Sequence, residues 1–184
     1  MVTIPAVVWR GGFVVRTLTI GVVVGLCLGM LAWLDSGFWL AAVIVFVVVG
    51  TFYGIWMARR MARYWPGAKE LTGDVRVRVA RAVRRGEAID DARLAQPVID
   101  YSRGLHAAAE KRMWRWLLIV ILAVAVGTAI WDSVAGSWGN TVASVIYLAA
   151  LLVELFWVPK WQAQLLTNAD RAAASAANAA GNAL

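Results

Sequence analysis

The stretch TLTIGVVVGLCLGMLAWLDSGFWLAAVIVFVVVGTFYGIW, residues 17–56, carries a single charged side chain, Asp35. A bilayer's hydrocarbon core is about 30 Å thick and takes about 20 apolar residues per crossing. This run is too long for one crossing and fits two, with Asp35-Ser36-Gly37 as the polar break between them. A second apolar block, roughly 116–158, repeats the plan, broken by Asp132-Ser133-Val134-Ala135-Gly136-Ser137. Four spans are expected.

Tryptophan supplies an independent ruler, because Trp and Tyr collect at the two membrane–water interfaces. The expected spans are bracketed by Arg16 and Trp33, Trp39 and Trp56, Trp114/Trp116 and Trp131, and Trp138 and Trp157. The brackets are roughly 15–19 residues long, or about 23–29 Å at 1.5 Å per residue. All four match one bilayer.

Charge gives the orientation. All 18 Lys and Arg residues lie on or beside the central loop or at the outer flanks of the two blocks, and the short turns at 35–37 and 132–137 have none. Cytoplasmic loops carry the excess of Lys and Arg. Both termini and the central loop are therefore expected in the cytoplasm, with the protein in the cell (inner or plasma) membrane. Arg10 and Arg16 ahead of an apolar run also resemble a signal peptide's charged start. The run continues to Trp33-Leu34 without an A-x-A-type site, so an uncleaved first span is expected.

The resulting expectation is an all-α fold: a four-transmembrane-helix bundle built from two hairpins, with a basic cytoplasmic helical hairpin between them. Its parts are residues 1–58, 59–112, 113–160 and an Ala-rich cytoplasmic tail, 161–184, expected to be frayed or disordered. Ala-Trp-Leu-Asp-Ser-Gly-Phe-Trp at 32–39 parallels Ile-Trp-Asp-Ser…Gly-Ser-Trp at 130–138. Duplication would explain the likeness, and so would the shared need for an aromatic belt and a polar turn. Both readings stay open.

Inside the first block Gly21, Gly25 and Gly29 repeat at i+4, and Gly50 and Gly54 continue the theme in the second span. Rows of glycine let helix backbones approach closely, which matters in lipid because no hydrophobic drive pulls helices together. The expected use is helix packing, within the chain, between copies, or with another protein.

In the loop, Thr72-Gly73-Asp74 offers a helix start and Gly86 a stop. Between them Val75, Val79, Ala82 and Val83 gather on one side of a helix, and Arg78, Arg81, Arg84 and Arg85 on the other. A second helix is expected from Asp90 or Asp91, with Leu94, Val98, Tyr101, Leu105 and Ala108 as an apolar seam and Pro97 as a kink or restart. The basic face has three readings: a solvated surface that enforces orientation, a contact with anionic membrane lipid, or a contact with an acidic partner protein. Nucleic acid is not expected, since no binding module is present.

Glu154 is the acidic residue placed well inside a span, and such a carboxylate points by default to a proton relay, a cation site or a substrate contact. Arg115 lies at similar depth in an antiparallel pair and would make it a structural ion pair instead. Asp35 and Asp132 hold matching places at the outer turns, where acids suit turn formation and could also bind a cation. A single cysteine, Cys27, and a single histidine, His106, supply no disulfide or metal spacing. Neither a phosphate-binding glycine loop nor a Ser/His/Asp set is present. No catalytic residue, metal or cofactor is expected.

Arg84-Arg85-Gly86-Glu87-Ala88-Ile89-Asp90-Asp91-Ala92-Arg93-Leu94-Ala95, then Tyr101, then an apolar pair, resembles small uncharacterised multi-pass membrane proteins of actinobacteria. That resemblance implies the two-hairpin plan and no activity. The sequence points to a non-enzymatic membrane protein, an accessory, scaffold or self-associating subunit of a larger complex or homo-oligomer. A small transporter or channel using Glu154 is the alternative.

Overall fold

The computed structural model describes residues 5–89, 91–109 and 114–181, without the side chains of Ala92 and of 114–117. Helix dominates, and no strand occurs among these residues. Four helices are long and apolar enough to cross a membrane: Phe13–Ser36, Trp39–Tyr64, Leu118–Ala135 and the run Trp138–Gly181. We label Phe13–Ser36 α1, Trp39–Tyr64 α2, Gly73–Arg85 α3, Ala95–Ala109 α4, Trp114–Ala135 α5, Trp138–Leu152 α6 and Val158–Gly181 α7. A multi-pass membrane protein follows from those four lengths and compositions.

The chain divides into two compact units. One comprises Thr17–Ile55 and Lys111–Lys160, the apolar unit. The other, the basic unit, gathers Met1–Arg16, Trp56–Glu110 and Trp161–Leu184. This grouping differs from a linear division at 58, 112 and 160, because side chains near both ends are buried with the central loop.

In the apolar unit, α1 ends where Gly37 turns left-handed at φ 72°, a conformation that needs no β-carbon. Gly37 N–H donates to Trp33 O at 2.8 Å, and the Ser36 hydroxyl donates to Ala32 O at 2.6 Å. The break is tighter than the sequence implied, since Asp35 and Ser36 still belong to the helix. The second break is likewise only Gly136-Ser137, with Ser137 capping α6 by accepting from Asn140 N–H. Most of the large apolar side chains on these helices face outward, Phe52 at 72% and Val124 at 62% exposure, as lipid-facing surfaces do.

The basic unit is built on a conventional core. Trp9, Trp65, Tyr101, Met61 and Leu105 are each at most 1% exposed. Trp9 and Trp65 pack edge to face at 4.9 Å, Trp9 and Tyr101 at 5.6 Å, and Trp65 and Tyr101 meet tilted at 4.7 Å. Such aromatic pairs contribute about 0.5–1.5 kcal/mol each beyond their buried area. Trp9 belongs to a short 3-10 helix, Ala6–Arg10, which packs against α3. The expected seam is buried at Leu94, just ahead of α4, and at Val98, Tyr101, Leu105 and Ala108 on it, and the α3 face is buried at Val79, Ala82 and Val83. Apolar stripes of α3 and α4 do meet, but α3 also lies under the 3-10 helix.

Several boundaries move. Thr72 holds the N-cap position of α3 without a side-chain capping bond, while Gly86 ends the helix at φ 71° as the stop signal implied. Asp91 caps a single 3-10 turn, Ala92–Leu94, accepting from Arg93 N–H at 3.0 Å, and α4 proper begins at Ala95. Asp90 lies outside the described residues. Pro97 falls in the first turn of α4, where no helical partner is needed for its missing N–H, so it starts the helix rather than kinking it.

The tail is neither frayed nor disordered through Gly181: α7 is continuous, with Ala169, Ala172 and Ala176 at 0–1% exposure. Alanine favours helix strongly and permits close approach, which replaces the missing large side chains. Asn168 Nδ2 donates to Arg84 O at 2.9 Å and so satisfies a carbonyl at the C-terminus of α3.

Candidate functional site

The glycines expected to pack do so between α1 and α2. A β-carbon on Gly21 would stand 2.7 Å from Gly50 O, one on Gly25 2.8 Å from Phe46 O, and one on Gly29 2.8 Å from Ala42 O. From the other side, a β-carbon on Gly54 would strike Thr17 O. The register rises along α1 as it falls along α2, so the two run antiparallel with their backbones in direct contact. Glycine is required at each point because the obstructing atom is backbone.

Asp132 is occupied structurally. Its carboxylate accepts from the Ser144 hydroxyl at 2.5 Å, and its carbonyl from Thr141 Oγ1 at 3.2 Å, tying α5 to α6. Among the described residues no group of three His, Cys, Asp or Glu is placed to hold a metal.

Glu154 falls in a π-helical turn, Val153–Trp157, between α6 and α7, with its side chain exposed. The cause lies in Pro159. A proline ring clashes with the carbonyl four residues back, here Leu155, and supplies no N–H to it. Widening the turn to i→i+5 relieves that clash. The side chain of Arg115, the partner the sequence offered, lies outside the described residues.

The basic residues separate into two sets. Arg84 points inward beside the core, where burial pushes the Tyr101 phenol up and the Arg84 charge partly offsets that rise. Arg78, Arg81 and Arg85 instead line a cleft of about 800 Å³ together with Arg10. Within the cleft Arg10 pairs with Asp74 at 3.2 Å and Arg85 with Glu87 at 3.4 Å. Arg10 is contributed by the 3-10 helix, which sequence reasoning did not place here.

That helix is fixed by Arg16. Its guanidinium lies 4.5 Å from the Trp9 ring centroid and donates to Gly11 O at 2.9 Å and to Trp9 O at 3.2 Å. Arg16 is 6% exposed, so its stem and head are both packed. The signal for this was available. Eight of the 11 tryptophans bracket spans, leaving Trp9, Trp65 and Trp161 unassigned, and two of those three are the heart of the core.

Elsewhere in the basic unit, Arg60 lies over Trp56 at 5.3 Å and Tyr64 at 5.5 Å and donates to Ala108 O at 3.3 Å. His106 Nε2 meets Asp170 Oδ1 at 2.7 Å, joining α4 to α7. The actinobacterial resemblance of the 84–95 run gains no support from comparison. No protein family, curated protein or solved structure matches the chain.

Proposed function

We propose that this chain is a non-enzymatic subunit of a membrane assembly: an accessory, scaffold or self-associating protein. In this reading it is a multi-pass protein of the cell membrane with four spans in two hairpins, and both termini and the basic unit lie in the cytoplasm. Positive residues cluster in the segments assigned to the inside. Those same segments, at both ends and in the middle of the chain, fold into one unit, as only segments on one side of a membrane can.

The observation that supports the subunit role is where the charged concavity lies: the grooves along α1–α2 and α5–α6 are lined almost wholly by apolar side chains, and the cleft rich in charge is elsewhere. The α1–α2 seam is closed at backbone contact, whereas the arginine-lined cleft belongs to the basic unit. Purification in gentle detergent, with the mass of the particle measured, tests this. A mass above one chain, as a multiple or with a stoichiometric second polypeptide, is expected. A monodisperse single chain overturns it.

The second reading, a small transporter or channel, draws on one feature, the π-turn bearing Glu154. Such turns are frequent at functional sites. Glu154→Gln separates the two. Under the subunit reading the substitution leaves ion or solute flux in proteoliposomes unchanged; loss of flux with assembly intact would establish the transporter.

A further inference from the structure

We propose that the cleft between the 3-10 helix and α3 binds the phosphate headgroup of an anionic membrane phospholipid. Arg78, Arg81 and Arg85 recur at i, i+3 and i+7, which stacks their guanidinium groups along one side of α3 over about 10 Å. Arg10 faces them from the opposite wall. Arg10 and Arg85 each stand beside a carboxylate, Asp74 and Glu87, in exposed pairs that a phosphate can displace at little cost. Arg78 and Arg81 are exposed to the cleft between them. A guanidinium presents two parallel N–H donors that match two phosphate oxygens.

The rest of the lining selects among phosphates. Three carboxylates, Asp74, Glu87 and Asp91, border the cleft and moderate its charge, so a small free anion gains little. Val7, Val77 and Ile89 supply an apolar wall beside the arginines. A ligand that is anionic at one end and apolar at the other uses both walls. Chain continuity supplies the source. Arg10 stands three residues before Phe13, the first residue of a helix long and apolar enough to cross a membrane. Three residues reach about 10 Å, so this wall of the cleft is tethered close to where α1 begins. The site requires the membrane reading but not the subunit role, and the particle mass above is blind to it.

The test uses the full chain, delipidated in neutral detergent and titrated with short-chain phosphatidylglycerol, with phosphatidylcholine of equal chain length, and with inorganic phosphate. Binding is read by native mass spectrometry and by thermal shift. Saturable binding of phosphatidylglycerol is expected, weakened about tenfold or more by Arg78→Gln with Arg81→Gln and unchanged by Arg103→Gln, which lies away from the cleft. Glu87→Gln frees Arg85 and is expected to tighten binding. Equal binding of phosphatidylcholine would overturn the proposal, and so would an equal loss in Arg103→Gln. Inorganic phosphate binding as tightly as the lipid would also overturn it, by assigning the site to a soluble ligand. If the double variant does not fold, Arg81→Lys keeps the charge and removes the fork. Affinity is then expected to fall, and unaltered affinity would refute the geometry.

Discussion

Gly50→Ala is expected to force α1 off α2. The added β-carbon would lie 2.7 Å from Gly21 O and 3.3 Å from Gly25 Cα. A carbon–oxygen contact is comfortable at about 3.3–3.6 Å, so the seam must open by about 0.6–0.9 Å at that point. Both obstructing atoms belong to helical backbone, and no side chain can rotate out of the way. Opening by that much forfeits about a quarter to a half of each dispersion contact along the seam. Overpacking of this kind costs about 1–3 kcal/mol. Alanine's better helix propensity works the other way by about 1 kcal/mol in water. Gly127→Ala isolates that term, because a β-carbon there meets nothing within 4 Å. Reversible unfolding in mixed micelles of rising dodecyl sulfate content measures both variants against the parent. Gly50→Ala should unfold earlier and Gly127→Ala at the same point or later. Equal midpoints for the two would refute backbone contact at the seam.

Trp9→Ala removes the ring that packs on Trp65 and Tyr101 and that carries Arg16; truncations of this size cost about 3–5 kcal/mol, and limited proteolysis of the 86–91 segment should accelerate severalfold. Tyr101 has its phenol raised by burial above the ordinary 10.0. Its contribution to stability is therefore whole below the unfolded value and is lost as pH rises through the folded one. Tyr101→Phe should flatten that alkaline decline in the melting curve, and an unchanged decline would show the ring is not the source. Ala172→Leu, at a site 1% exposed, should release α7 and speed its amide exchange. By contrast His106→Ala, in an exposed pair contributing about 1 kcal/mol or less, should leave α7 protected. The reverse order would mean that the ion pair, not the alanine face, holds the helix.

Sequence patterning reached the spans because lipid demands long uninterrupted apolar runs, and it reached α3 and α4 because their buried faces carry large side chains at helical spacing. The glycine seam was legible for the same reason: its residues repeat at i+4 in α1. Its partner was not, because nothing in Gly21, Gly25 and Gly29 distinguishes α2 from a second copy. What escaped was held by weaker signals. Trp9 sits in a five-residue turn too short to show a period, next to basic residues that read as a flank. Ala169, Ala172 and Ala176 do fall at helical spacing, but within so much alanine that the contact face does not stand out. The division of Arg84 from Arg78, Arg81 and Arg85 depends on where Tyr101 and Arg10 arrive from elsewhere in the chain, which no local pattern records.

The basic unit draws on the first, middle and last parts of the chain. During synthesis, at about 5–20 residues per second, Trp9 is made first and waits for Trp65 and Tyr101, and the alanine face of α7 is made last. The unit therefore completes itself only after the four candidate spans have been made. A chain in which α7 and α3 ended on opposite sides of a membrane could neither bury Ala169 and Ala172 here nor bring Asn168 to the α3 terminus. Pulse-labelled chains stalled before Trp161 should consequently be cut by quality-control proteases, and the same chains should resist once released to full length. Folding of this unit thus requires its three segments to lie in one compartment.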